Sequence, residues 1–194
     1  MKRTAHNQRQ TMRESLPSFK YHPDPIATGS FKAKDITCLS CKQIRSYVYV
    51  GPVYADSDLE KGICPWCIIN GLAHEKFGAQ FTDINAIGDY DPTMSIPADI
   101  KREVAYRTPG FNGWQQERWL VHCGDACAFL GPAGRKELAA WGRQELIESL
   151  RADLSMSELD FRAYLEQMNK QSGPTAYIFR CLHCGQYRGY SDYL

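Results

Sequence analysis

The chain has 194 residues, 43% of them hydrophobic and 23% charged, and a formal net charge of +1, a composition that fits one moderate globular domain or two small ones. Its longest uninterrupted apolar run is five residues, Ala126 to Leu130, far short of the roughly 18 that a membrane helix needs. The basic N-terminus is followed by no apolar stretch of the secretory kind, so residence in the cytoplasm without membrane insertion is expected.

Residues 1–15 are polar and aperiodic and read as a disordered basic tail. Residues 1–20 hold five basic side chains against one acidic, a local +4 that leaves the other 174 residues at −3. The body therefore lacks the electrostatic footprint of a duplex nucleic-acid binder. From Leu16 to Pro25 the prolines bias the chain towards an extended strap, anchored by Phe19 and Tyr21.

The expected organisation is α+β, with a zinc-ribbon-like lobe of small antiparallel strands over 16–90. Its cysteines read C-x2-C-x22-C-x2-C: Cys38 and Cys41, then Cys64 and Cys67. Two residues between thiols let one tight turn aim both sulfurs at one ion, and closely spaced pairs in a reducing compartment are metal ligands more often than disulfides. Zinc suits four thiolates in a closed tetrahedron. The β-prone Ser46 to Val50, ended by Gly51-Pro52, supplies a strand within the spacer. Cys64-Pro65-Trp66-Cys67 also resembles the turn of a thiol oxidoreductase, but no βαβ unit precedes it and its partner pair lies at an ordinary zinc spacing.

The second lobe, 91–194, opens with a helix over Ile96 to Tyr106 capped by Ser95 and stopped at Thr108-Pro109-Gly110. The segment Arg107 to Trp119 interleaves aromatic, basic and amide side chains and is the best candidate binding surface, with Trp119 read as core. A strand over Glu117 to Val121 delivers Cys123. The second ligand set is Cys123, Cys127, Cys181 and Cys184; the C-x3-C half requires a helical turn, which Asp125 to Leu130 allows. Gly185 can take the positive φ of a zinc turn. His122, Asp125 and His183 lie close by and offer an alternative, mixed ligand set with an open, catalytic position. The 53 residues between the halves hold a helical hairpin, placed at 135–172. One long helix is expected over Arg135 to Leu154, and a second after a capping box at Ser155 to Glu158. No internal repeat is visible.

These residues resemble the CbrC family, a bacterial family associated by name with tolerance to a nuclease-type colicin. The resemblance is carried by Leu16 to Pro25, Gly51-Pro52-Val53-Tyr54, Cys64-Pro65-Trp66-Cys67-Ile68, Arg107-Thr108-Pro109-Gly110-Phe111, Trp114 to Trp119, His122-Cys123-Gly124-Asp125 and Phe129-Leu130-Gly131. It implies a bacterial cytoplasmic protein linked to toxin or stress tolerance, and supplies no reaction or catalytic residue. No phosphate loop, G-x-S-x-G elbow or H-E-x-x-H helix is present. The expectation is a non-enzymatic interaction protein with two structural zinc ions and a protein partner, a toxin or an import component. A metal-dependent enzyme using His122 and Asp125 and a nucleic-acid-binding zinc protein are the alternatives.

Overall fold

The computed structural model describes residues 14–88 and 96–193. The basic tail before Glu14, the cap Ser95 and the lobe boundary at 90/91 lie outside them. Two antiparallel strands, β1 (Phe31–Thr37) and β2 (Ile44–Tyr49), form the first hairpin. Two short helices follow, α1 (Pro65–Ile69) and α2 (Leu72–Phe77), and then α3 (Ala98–Arg107). A minimal hairpin of β3 (Val121–His122) and β4 (Asp125–Ala126) precedes β5 (Ala128–Ala133). Helices α4 (Arg135–Trp141), α5 (Gln144–Leu154) and α6 (Glu158–Gln167) intervene before β6 (Thr175–Arg180) and β7 (Tyr187–Asp192). Strands β5, β6 and β7 make an antiparallel sheet in that order. The architecture is thus mixed α+β with small antiparallel sheets. Among the described residues no helix is long and apolar enough to cross a membrane.

Among the described residues, three apolar clusters hold these elements. The first gathers Phe19, Phe31, Tyr49, Ile63, Ile68 and Phe81 around Cys38, Cys64 and Cys67. The second contains Tyr21, Val104, Phe111, Trp119, Phe129, Phe179 and Tyr190, and the third Leu146, Leu150, Phe161, Ala176 and Ile178. Strand β6 explains how the last two meet. Its side chains alternate between faces, so Tyr177 and Phe179 enter the second cluster while Ala176 and Ile178 enter the third. The strap joins the first two: Phe19 packs on Phe31 with ring centroids 5.7 Å apart, and the Tyr21 carbonyl accepts the Phe129 N–H at 2.8 Å.

The helical insertion departs from its expected form in two places. The single helix over Arg135 to Leu154 is two helices, because Gly142 takes a left-handed φ of 56° and closes α4, a conformation glycine adopts without the Cβ penalty. The turn lets Trp141 and Arg143 both cover the Tyr187 ring, while Leu146 and Leu150 of α5 face the core. The second helix is capped by Ser157, whose Oγ accepts the Asp160 N–H at 3.2 Å. Ser155 instead ends α5 at a φ of 52°. Residues Asp125 to Leu130, expected to permit a helical turn, are extended. Phe129 pairs with Phe179 across the sheet and sits among Phe111, Trp119 and His22, a placement a surface helix would not satisfy.

His22 is fully buried where the strap crosses the Pro109 turn. One ring nitrogen lies 2.7 Å from the Pro109 carbonyl and the other 2.6 Å from Thr28 Oγ1. A carbonyl only accepts, so Nδ1 carries the proton and Nε2 accepts from Thr28. Burial lowers the imidazole from 6.5 to about 4. The unfolded chain therefore binds a proton between these values that the folded chain does not. Stability is full above about pH 6.5 and falls towards pH 4, by up to about 3 kcal/mol from this residue. Denaturation midpoints at pH 7 and 4.5 should show a steeper acid loss for the native chain than for His22→Asn, and equal slopes would contradict the assignment.

Candidate metal centres

The first group is assembled by the β1–β2 hairpin and the N-terminus of α1. At the hairpin tip the Cys38 N–H donates to Gln43 at 2.9 Å and the Lys42 N–H to Cys38 at 2.8 Å, with Lys42 at a φ of 60°. The Leu39 N–H donates to Gly62, and the Tyr49 N–H to Ile63, both at 2.9 Å. These bonds lay the incoming chain along the hairpin and bring Cys64 beside it. Cys64 is the N-cap of α1, Pro65 takes the first helical position, where its missing N–H costs nothing, and the turn presents Cys67. The ligand atoms of Cys38, Cys41, Cys64 and Cys67 all lie within 4.8 Å of one another.

Crowded thiols behave as an anion in search of a cation. Contacts with Cys64 and Cys67 lower the Cys38 thiol far below its ordinary value, while the contact with Cys38 pushes Cys64 up to about 12. Without a cation the group cannot ionise together, and a divalent ion removes that conflict.

The second group is built on a repeat of the first knuckle, which overturns the expectation that the chain holds no internal repeat. Cys38-Leu39-Ser40-Cys41-Lys42-Gln43 and Cys181-Leu182-His183-Cys184-Gly185-Gln186 share Cys, Leu, Cys and Gln in register, and Arg45/Arg188 and Tyr47/Tyr190 continue it. The backbone repeats as well: the Cys181 N–H donates to Gln186 at 2.9 Å, the Gly185 N–H to Cys181 at 3.1 Å, and Gly185 has a φ of 74° where Lys42 has 60°. Burial opposes ionisation of Cys181, yet the Cys184 amide, the contact with His122 and the His183 amide lower its thiol to about 6.

The other half is the β3–β4 hairpin. Its two-residue loop, Cys123-Gly124, has φ values of 53° and 72°, the positive pair that a tight type I′ hairpin demands and that glycine meets without strain. The loop lifts Cys123 towards the knuckle. His122 Nδ1 lies 3.3 Å from Cys123 Sγ and 3.4 Å from Cys184 Sγ. The group is His122, Cys123, Cys181 and Cys184, again with ligand atoms within 4.8 Å.

Cys127 stands outside it. The segment after the loop is extended, and three extended residues carry Cys127 about 10 Å onward, whereas a helix would have returned it to the face of Cys123. It is buried in the second cluster, its carbonyl accepts the Trp119 indole N–H at 3.0 Å, and burial pushes its thiol up to about 12. Cys127→Ala should keep both centres, whereas His122→Ala should lower the metal bound by about one ion per chain; equal losses in the two variants, by elemental analysis, would refute this ligand set.

Asp125 and His183 face each other beside the centre. Asp125 Oδ2 accepts from His183 Nε2 at 3.0 Å and Lys20 Nζ at 3.1 Å, and Oδ1 accepts from the Tyr21 hydroxyl at 2.7 Å and the Ala126 N–H at 2.8 Å. Burial alone would raise the carboxyl, but these donors hold it below the ordinary carboxylate value. Its oxygens fasten the strap to the hairpin.

The Arg107 to Trp119 segment divides. Phe111, Glu117 and Trp119 are buried, and the half-buried Trp114 donates its indole N–H to Thr175 Oγ1 at 2.9 Å, so its aromatic side chains chiefly cover the core. Sequence reasoning missed Glu117. Its carboxylate accepts from the Tyr54 hydroxyl at 2.7 and 2.9 Å, burial raises its carboxyl, and it lines a cleft of about 310 Å³ with Gln115 and Gln116.

Fold and site together define a mixed α+β protein with two cysteine-rich groups able to hold metal ions. The chain belongs to the family described as the uncharacterised protein family UPF0167, whose model matches residues 16–193. It is 44% identical over 184 residues to UPF0167 proteins of Mycobacterium bovis and Mycobacterium tuberculosis, covering 93% of this chain and 95% of each relative. A UPF0167 protein of Pseudomonas aeruginosa is 43% identical over 176 residues, or 90% of this chain and 96% of the relative. No solved structure matches the chain.

Proposed function

We propose that this chain is a cytoplasmic, non-enzymatic interaction protein of the CbrC type that carries two structural zinc ions and acts in tolerance to a nuclease-type bacteriocin. The observation that carries the reading is the composition of the two groups: four sulfurs in one, three sulfurs and an imidazole in the other. Both are four-ligand sets of the closed, structural kind. The spacing fits a tetrahedral, thiolate-bound ion such as zinc. A tetrahedron with Zn–S bonds of about 2.3 Å has S···S edges of about 3.8 Å and S···N edges of about 3.6 Å. The Cys38 and Cys67 sulfurs are 3.7 Å apart, and the two sulfur to His122 distances are 3.3 and 3.4 Å.

In this reading Cys38, Cys41, Cys64 and Cys67 hold the first ion within the lobe 16–90. His122, Cys123, Cys181 and Cys184 hold the second in the lobe 91–194, around the insertion 135–172. The ions supply folding energy, and function lies on the surface they stabilise. A protein partner, the toxin or a component of its import, follows from the CbrC resemblance and from the −3 charge of the body, which disfavours nucleic acid. Survival of bacteria with and without the gene, under challenge by nuclease bacteriocins, tests the role. Protection together with capture of the toxin or an import component supports it; unchanged survival and no captured partner would remove it.

A further inference from the structure

The two centres differ in access. Cys38, Cys64 and Cys67 are 0–1% exposed and Cys41 is partly buried, while Arg45 lies over the Trp66 ring at 4.8 Å. Lys76 donates to the Ser40 carbonyl at 2.6 Å and closes the other side of that knuckle. In the second centre only Cys181 is buried; Cys123 and Cys184 are exposed. The two turns that bear them end in Gly124 and Gly185, and a Cβ at either position would meet nothing within 4 Å. Both exposed sulfurs touch the same His122 Nδ1, so they are neighbours, yet they ride on separate elements, the β3–β4 loop and the β6–β7 knuckle. Oxidants attack sulfurs that are both ionised and accessible, and a bound cation keeps coordinating thiols deprotonated.

From this asymmetry we propose that Cys123 and Cys184 form an oxidant-reactive modification site, taking a peroxide as the two-electron oxidant and closing to a disulfide. The Cys123 thiolate attacks the peroxide oxygen, the O–O bond breaks, and sulfenic acid forms as hydroxide leaves. The Cys184 thiolate then attacks the sulfenyl sulfur, the S–S bond forms and a second hydroxide leaves; two protons from solvent convert both hydroxides to water. Two thiolates are oxidised and one hydrogen peroxide is reduced. His122 and Cys181 remain, too few to retain the ion, which departs as Zn2+. This step rests on the zinc reading above, but the thiol chemistry can be scored without it.

The test uses the protein as purified, its zinc content first measured. Hydrogen peroxide is added in small molar excess, released zinc is read with a chromogenic chelator, and disulfides are mapped by mass spectrometry after free thiols are blocked. The expected result is loss of one zinc per chain with a Cys123–Cys184 bond, formed roughly tenfold faster than any oxidation of Cys38, Cys41, Cys64 or Cys67. Dithiothreitol with added zinc should reverse it, and Cys127→Ala should behave as the native chain. Simultaneous loss of both ions, a bond to another cysteine, or resistance of Cys123 and Cys184 to peroxide would each overturn the proposal. Should the purified chain hold no zinc, the zinc reading falls, and the disulfide map still decides this one.

Discussion

On the zinc reading proposed above, a Cys41→Ser chain is expected to bind about one zinc ion fewer than the native chain and to lose most of its thermal stability. Cys41 is only partly buried, and serine differs from it by little volume, so packing accounts for a small part of the loss. The large part is the metal. Structural zinc contributes on the order of 10 kcal/mol to the folding of small domains, comparable to the whole stability of a typical one. Three buried thiols would then remain crowded without their cation, in the conflict that already pushes Cys64 up to about 12. Thermal melting with elemental analysis checks it. A chelator should reproduce the loss in the native protein, and an unchanged melt with unchanged zinc would show that neither metal binding nor folding depends on Cys41.

Gly110→Ala should be the next most damaging change, for a different reason. Gly110 sits where the first two clusters meet. Its N–H donates to the Tyr49 hydroxyl at 3.1 Å and its carbonyl accepts from Ser30 Oγ at 2.7 Å. A Cβ there would stand 1.8 Å from the Phe81 carbonyl oxygen and 3.1 Å from the Tyr49 hydroxyl. The obstacle is backbone, tied in turn by the Phe81 N–H to Ala105 at 2.7 Å, so the main chain at Gly110 or at Phe81 must shift. The cost is about 3 kcal/mol, or roughly 10 °C in a chain of this size. Calorimetry should find that drop with the zinc content unaltered, because Gly110 belongs to neither ligand group. A melt within about 2 °C of the native protein would contradict this close packing.

Cysteine spacing made the first centre legible because C-x2-C is a local geometry: two residues suffice to build the turn, and the turn aims both sulfurs. The strap was legible for the same reason, since its prolines act on their own neighbours. The second centre was half legible. Its knuckle, Cys181 and Cys184, follows the same rule, but Cys127 was drawn in by helical spacing when the chain there is extended. Whether Ala128 to Ala133 is strand depends on β6, more than 40 residues away in sequence, and no local signal carries that. The repeat of Cys-Leu-x-Cys-x-Gln-x-Arg-x-Tyr was present in the letters, but it marks only the shared knuckle; the other halves differ, a helical turn in one and a hairpin in the other. The break at Gly142 was also visible as a glycine inside an apolar period. Its weight became clear only with Tyr187 in place, since the turn serves to lay Trp141 and Arg143 on that ring.

The central claim, two closed centres with Cys127 in neither, is tested most directly by zinc-edge X-ray absorption of the purified chain, scaled by its zinc content. The account predicts two zinc ions per chain with seven sulfur ligands and one imidazole nitrogen between them. Eight sulfurs would return Cys127 to the second centre, and oxygen ligands or fewer than two ions would contradict the closed pair.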